Sequence, residues 1–221
     1  LLKSEKNYIC LNIQKEIVST GRHIFLCATY LTPAESPYYN EETFSILQDE
    51  ICNFQIKGNV LMCGDLNART GMEPDFVNTQ GDKYITNTSH PLPSYHIRNN
   101  YDKFTNKSGK SLLELCRSLG YRPLYTRIRG DSFGCYTFNS FLGNSTVDYF
   151  ITDIDPVHLR AFTVSPQTPL SDHCKMTLYL KQTQTNESGR QPSQLLRLQQ
   201  PYNWTKNSTE NYQINIEQIY N

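Results

Sequence analysis

The chain has no net charge: 21 Lys and Arg balance 21 Asp and Glu across 221 residues. A balanced surface excludes a global field that draws in polyanions, so any nucleic acid or anionic membrane has to be recognised through local asymmetry. Long hydrophobic runs are also missing. The longest apolar stretches, such as HIFLCATYL at 23–31, are strand-sized and well short of the ~20 residues that span a bilayer. The opening LLKSEKNYIC lacks the apolar core of a signal peptide. These absences predict an intracellular protein of the nucleus or cytoplasm, neither secreted nor membrane-bound. Seven cysteines are present, an odd number with no CxxC pair. Cys27, Cys63 and Cys116 sit inside apolar runs, where a free thiol behaves as a small buried hydrophobe, so they read as reduced core residues.

The chain is long enough to bury a real core in one large domain. YICLNIQKEIV and HIFLCATYL, separated by Ser19 to Arg22, read as strand, turn, strand. From Asn40 to Lys57 the pattern becomes helical: Phe44, Leu47, Ile51 and Phe54 recur every three or four residues, Glu41 and Glu42 fall in the first turn, and Gly58 ends it. VLMCG at 60–64 reads as a buried strand. A loop-rich stretch runs from Met72 to about Asn106, and Ser108 opens a second helix with Leu112, Cys116 and Leu119 on one face before Gly120. CYTF, TVDYFITD and CKMTLYL supply three later strands. Helices interleaved with such strands indicate a layered α/β or α+β domain over residues 1–181. Residues 182–221 hold fourteen Asn or Gln and few large aliphatics, too little apolar area to offset chain entropy, and read as a linker or tail.

Polar groups sit where three of these strands begin or end. In VLMCGDLNARTG, Asp65 and Asn67 are two positions apart and share a face if the strand continues. Asp148 interrupts the apolar run of GNSTVDYFITD, where an unpaired carboxylate is costly and therefore needs a partner. TPLSDHCKMTLYL places Asp172 and His173 immediately before the last strand. Singly, each reads as a cap or a turn residue.

The ordered set GDxN, SxVD and SDH, each fused to an apolar strand, resembles the endonuclease/exonuclease/phosphatase superfamily of metal-dependent phosphodiesterases. FLCATYLTP resembles the family strand that ends in a tyrosine, here Tyr30. NKSGKSLLELCRSLGY and CYTF are similar to the endonuclease domains of non-long-terminal-repeat retrotransposons. The similarity covers roughly residues 8 to 180. It implies a four-layer sandwich of two mixed β-sheets flanked by helices, a Mg²⁺ or Mn²⁺ cofactor, and a set of roles. Asp65 orients or deprotonates the attacking water, Asn67 and Tyr30 contact the phosphate, Asp148 orients His173, His173 stabilises the transition state, Asp172 binds metal, and Ser145 and Ser171 tune the Asp-bearing turns.

In that family an Asn-bearing strand and a strand carrying a metal-binding Glu lie well upstream of the tyrosine. Only 29 residues precede Tyr30 and the chain starts at Leu1 without Met, so the resemblance implies that an N-terminal third is missing, and with it a principal metal ligand. The activity then belongs to the parent protein more than to this piece, and the alternative is a catalytically incomplete remnant that acts only as a binding module. For the substrate, residues 97–130 hold eight Lys or Arg against Asp102 and Glu114, with Tyr101, Phe104, Tyr121 and Tyr125 interleaved. Such a segment reads either as a nucleic-acid track, with Arg98, Lys103, Lys107, Arg127 and Arg129 on phosphates, or as a solvated helix face. The leading function is nicking of DNA within a retrotransposon-like polyprotein whose tail leads to a reverse transcriptase. The same fold also admits phospholipid or inositol phosphate hydrolysis.

Overall fold

A computed structural model describes residues 3–5, 7–76, 98–131 and 133–183. In chain order its elements are β1 (Lys3–Glu5), β2 (Tyr8–Ile13), β3 (Ile24–Thr29), α1 (Thr43–Gln55), β4 (Asn59–Asp65), α2 (Lys107–Leu119), β5 (Arg122–Pro123), β6 (Phe138–Ser140), β7 (Gly143–Ser145), β8 (Asp148–Thr152), a 3₁₀ turn (Pro156–His158), β9 (Leu159–Val164) and β10 (Met176–Leu180).

Six strands form one mixed sheet in the order β1-β2-β3-β4-β8-β5. β3 and β4 run parallel, which requires a crossover, and α1 supplies it. β4 lies between β3 and β8, so Val60, Leu61 and Met62 are all buried and the strand reads as a continuous apolar run. Antiparallel pairs β9–β10 and β6–β7 make two further sheets. Phe162 of β9 is fully buried, with its ring 5.3 Å from Tyr125 and 5.8 Å from Phe150 of β8, which joins β9 to the main sheet. The architecture is an α+β sandwich of mixed sheets flanked by two helices.

Helix α1 buries Phe44, Leu47 and Ile51, and Phe54 stacks on Phe25 at 5.0 Å. It starts at Thr43, so Glu41 and Glu42 precede the first turn instead of filling it, and Glu41 pairs with Lys107. The helix closes at Gln55, before Gly58. That glycine is needed for close packing, since a Cβ there would lie 2.4 Å from the His23 carbonyl oxygen. Helix α2 is capped by Asn106, whose Oδ1 accepts from Gly109 N at 2.7 Å, and ends at Gly120 with φ 74°.

Strands β1, β5, β7 and β9 have no counterpart in the periodicity analysis; the first, second and third have two or three residues, too few for a period to register. The cysteine reading needs one correction. Cys10 and Cys27 are direct partners across antiparallel β2 and β3, with Cα atoms 4.3 Å apart, and they form a disulfide. The pairing register, invisible in the spacing, brings them together. Cys63 and Cys116 remain free thiols. At the C-terminal end of the described residues, Gln182 bridges to Val18 and the Thr183 hydroxyl donates to Val18 O at 2.8 Å. The remainder of the Asn/Gln-rich stretch, and residues 77–97 of the long loop, lie outside the described residues.

Candidate active site

The antiparallel register of β4 and β8 sets Asp65 directly opposite Asp148. Two carboxylates that the sequence separates by 83 positions therefore meet at one end of the sheet. A third group arrives from the segment before β10. Asn139 N donates to Asp172 O at 2.8 Å and Cys174 N to Thr137 O at 2.7 Å, lacing residues 172–174 alongside β6. His173 consequently stands over Phe138, ring centroids 5.0 Å apart, with Nδ1 2.9 Å from Asp148 Oδ2. Asp65, Asp148 and His173 each offer a ligand atom within 4.8 Å of the others.

The turn after β4 is held from several directions. Gly64 has φ 133°, and a Cβ there would lie 2.0 Å from Thr29 O, so only glycine lets β3 and the turn approach so closely. Leu31 N donates to Asp65 O at 2.9 Å. Asn67 adopts φ 47°, a left-handed conformation that Asn tolerates better than most residues. Its backbone N donates to Asp65 Oδ1 at 2.9 Å, and its Nδ2 donates to Leu31 O at 2.8 Å and Asp65 Oδ2 at 3.2 Å. Both amide hydrogens are thus spent inside the turn, and Asn67 acts there as a strut for Asp65. From β8, the Tyr149 hydroxyl donates to Ala68 O at 2.7 Å, tying the two Asp-bearing segments together.

Burial raises the Asp65 pKa, the Asn67 N–H opposes this, and the Asp148 charge adds to the rise. For His173 burial is the largest single influence and acts downward, but the hydrogen bond and charge of Asp148, with the charges of Asp65 and Asp172, outweigh it and leave the pKa above the ordinary value. The Asp148–His173 pair therefore favours an imidazole that carries a proton.

Asp172 lies on the exposed turn beside the cluster, outside the three close groups. Ser171 Oγ accepts from His173 N at 3.0 Å. At the Asp148 turn the supporting hydroxyl is that of Thr137, which accepts from Val147 N and Asp148 N, each at 3.1 Å; Ser145 lines the adjoining cavity instead. Tyr30 is half-exposed and joins the rest through its backbone N, which donates to Asn7 O at 2.9 Å.

The basic segment divides. Arg98, Arg117 and Arg122 donate to the carbonyl oxygens of Glu73, Pro74 and Asp75, at 3.2, 2.8 and 3.1 Å. Arg127 grips the Asp75 carboxylate through both terminal nitrogens at 2.7 and 2.8 Å, with both side chains buried. Arg98 is buried as well. These cations clamp the 73–75 turn, so the heads of Arg98 and Arg127 are enclosed in the fold and not presented on a phosphate track. Lys107 pairs with Glu41, and Lys103 Nζ donates to Asn100 O at 2.5 Å. Arg129 is exposed. Within the segment Tyr101 and Phe104 are exposed, and Tyr101 stacks on exposed Phe133 at 6.1 Å.

A cavity of about 290 Å³ adjoins the cluster, lined in part by Asn67, Arg69, Phe104, Asn106, Phe138 and His173. Arg69 escaped the sequence reading. Its partner Asp102 is 33 positions away and loops carry no period, so only the adjacency to GDLN marked it.

No protein-family model matches the chain, and no curated protein sequence matches it. Solved structures do. The 3′-5′ exonuclease NExo from Neisseria meningitidis superposes with a TM-score of 0.53 at 13% identity, over 81% of this chain and 67% of that one. The AP endonuclease LMAP from Leishmania major gives 0.56 at 15% identity, over 81% and 56%. The 3′ phosphatase NExo from Neisseria bound to a product DNA hairpin gives 0.54 at 12% identity, over 81% and 66%. The chain shares the fold of these structures. This chain spans between 56% and 67% of the length of those three structures. At such identities the likeness shows the fold alone, and the chemistry has to be argued from the cluster.

Proposed function

We propose that this chain hydrolyses phosphodiesters with a divalent cation and nicks DNA, as the endonuclease part of a retrotransposon-like polyprotein. The observation that supports it is the Asp148–His173 pair facing Asp65 across the β4–β8 register. Asp148 holds Nδ1 of His173, leaving Nε2 as the ring's free nitrogen to meet a phosphate oxygen and stabilise charge as it develops. Asp65, with its pKa raised by burial, is placed to accept a proton from an attacking water. The retrotransposon setting rests on the motif resemblance.

The donor set fits a hard divalent ion. Asp65 and Asp148 offer carboxylate oxygens, and among the described residues neither pairs with Lys or Arg. Mg²⁺ or Mn²⁺ would be held by these carboxylates together with Asp172, and would supply Lewis-acid stabilisation of the phosphate. Tyr30 is assigned to a phosphate oxygen. Exposed Tyr101, Phe104 and Phe133 suit stacking on bases, which favours DNA over a substrate without them.

The experiment is plasmid nicking by the full chain with Mg²⁺, Mn²⁺ or EDTA. Asp65→Ala and His173→Ala should each slow nicking by at least about a hundredfold, because each removes a group used in the transition state. Nicking that persists undiminished in EDTA would remove the cation from the reaction.

A further inference from the structure

We infer that Arg69, and not Asn67, supplies the side-chain donor that takes a substrate phosphate beside the cluster. The inference rests on the phosphodiester reading above and names a residue for it. Asn67 has no amide hydrogen to give, since its Nδ2 is committed to Leu31 O and Asp65 Oδ2. Two residues on, Arg69 lines the cavity shared with His173. Its Nε and Nη2 donate to the two Asp102 oxygens at 2.7 Å each.

Asp102 is buried at 2% exposure and saturated: Oδ1 also accepts from Phe104 N and Oδ2 from Thr146 N, both at 3.1 Å. It cannot turn away from Arg69. On one face the guanidinium lies over the Phe104 ring, 4.7 Å from the centroid. Carboxylate and ring together fix the plane of the fork, and only Nε and Nη2 hydrogen-bond among the described residues, leaving Nη1 unused while the side chain stays 32% exposed. A cation needed only to neutralise Asp102 would not have to line the cavity with an unused N–H edge left over. A planar fork held along one edge and open along the other is suited to a phosphate oxygen. The backbone of Arg69 is equally fixed, because its N donates to Asn106 Oδ1 at 2.9 Å and its O accepts from Asn106 N at 3.0 Å.

The test is binding of a fluorescein-labelled DNA duplex to the full chain in EDTA, followed by anisotropy across a salt series. Arg69→Lys keeps the charge but not the fork. The double variant Arg69→Gln with Asp102→Asn replaces the ion pair by two amides and so leaves no buried unpaired charge. Each should weaken binding at least about tenfold, and the double variant should reduce the slope of log affinity against log salt by about one, the signature of one lost phosphate contact. Melting temperatures confirm that both variants are folded. Wild-type affinity and slope in either folded variant would overturn the assignment, as would the absence of DNA binding by the unmodified chain. Anisotropy and its salt slope read binding and not strand cleavage, so this outcome is separate from the nicking result, which can fail with binding intact.

Discussion

Replacing Asp148 by Asn removes a charge and a proton acceptor while keeping the volume of the side chain. The carboxylate is 13% exposed and the His173 ring 34% exposed, with Oδ2 and Nδ1 2.9 Å apart. Two unit charges at this kind of separation interact by about 4 kcal/mol in the dielectric of a protein surface, and the partial exposure of the ring reduces that to about 2 kcal/mol. If the pair stabilises an imidazolium as the phosphate reacts, about 2 kcal/mol corresponds to a roughly thirtyfold slower reaction. An amide that donates to Nδ1 would also force the proton onto the other nitrogen, and such a tautomer error raises the loss toward about ten-thousandfold. Nicking should therefore fall between these limits, with DNA affinity within about threefold of the parent and little change in melting temperature. A second readout follows from the forces on the ring. Without Asp148, burial loses its main opponent, so the His173 titration midpoint in the metal-free protein should move down, as followed by proton NMR. An unchanged midpoint, or lost stability with normal turnover in the folded fraction, would refute the orienting role and make Asp148 a structural group.

Arg127→Met leaves Asp75 buried without its bidentate partner and should cost about 3–5 kcal/mol in denaturant unfolding; a change below about 1 kcal/mol would refute the clamp on the 73–75 turn. Gly109→Ala, which in an ordinary helix gains about 1 kcal/mol, should here cost about 2 kcal/mol and slow nicking, because the new Cβ would fall 1.7 Å from Arg69 O. Alkali should destabilise the fold from about pH 9 upward. Burial pushes the Cys63 thiol from 9.0 up to about 11, and the Cys116 thiol and the Tyr149 phenol up to about 12. Above pH 9 the unfolded chain releases protons that the native state retains, so stability is full below that pH and falls as it rises, by about 3 kcal/mol for Cys63 alone. Chemical denaturation at pH 8, 9 and 10 checks the sign.

Both helices were legible because each stands alone as a periodic signal: Phe44, Leu47 and Ile51 in one, Leu112 and Cys116 in the other, with Gly120 as its stop. β4 was legible as an apolar run because a central strand is covered on both faces. The polar groups Asp65, Asp148 and His173 could be picked out individually since each interrupts or abuts such a run. Their juxtaposition could not. It depends on the β4–β8 register, which pairs residues 83 positions apart, and on the lacing of residues 172–174 to β6. Charge was the least readable property. Arg98 and Arg127 look like surface cations in the sequence, yet they are enclosed around the 73–75 turn, whereas Arg69 drew no notice and faces the cavity. The Cys10–Cys27 pairing was hidden for the same cause, since it follows from the register of β2 on β3. The sequence by itself determined the local elements and the residue types able to do phosphodiester chemistry, because periodicity and backbone preference act over a few residues. Only the tertiary structure decided which of those residues meet and which charges remain free, because strand register and buried ion pairs join positions tens of residues apart that leave no trace in local pattern.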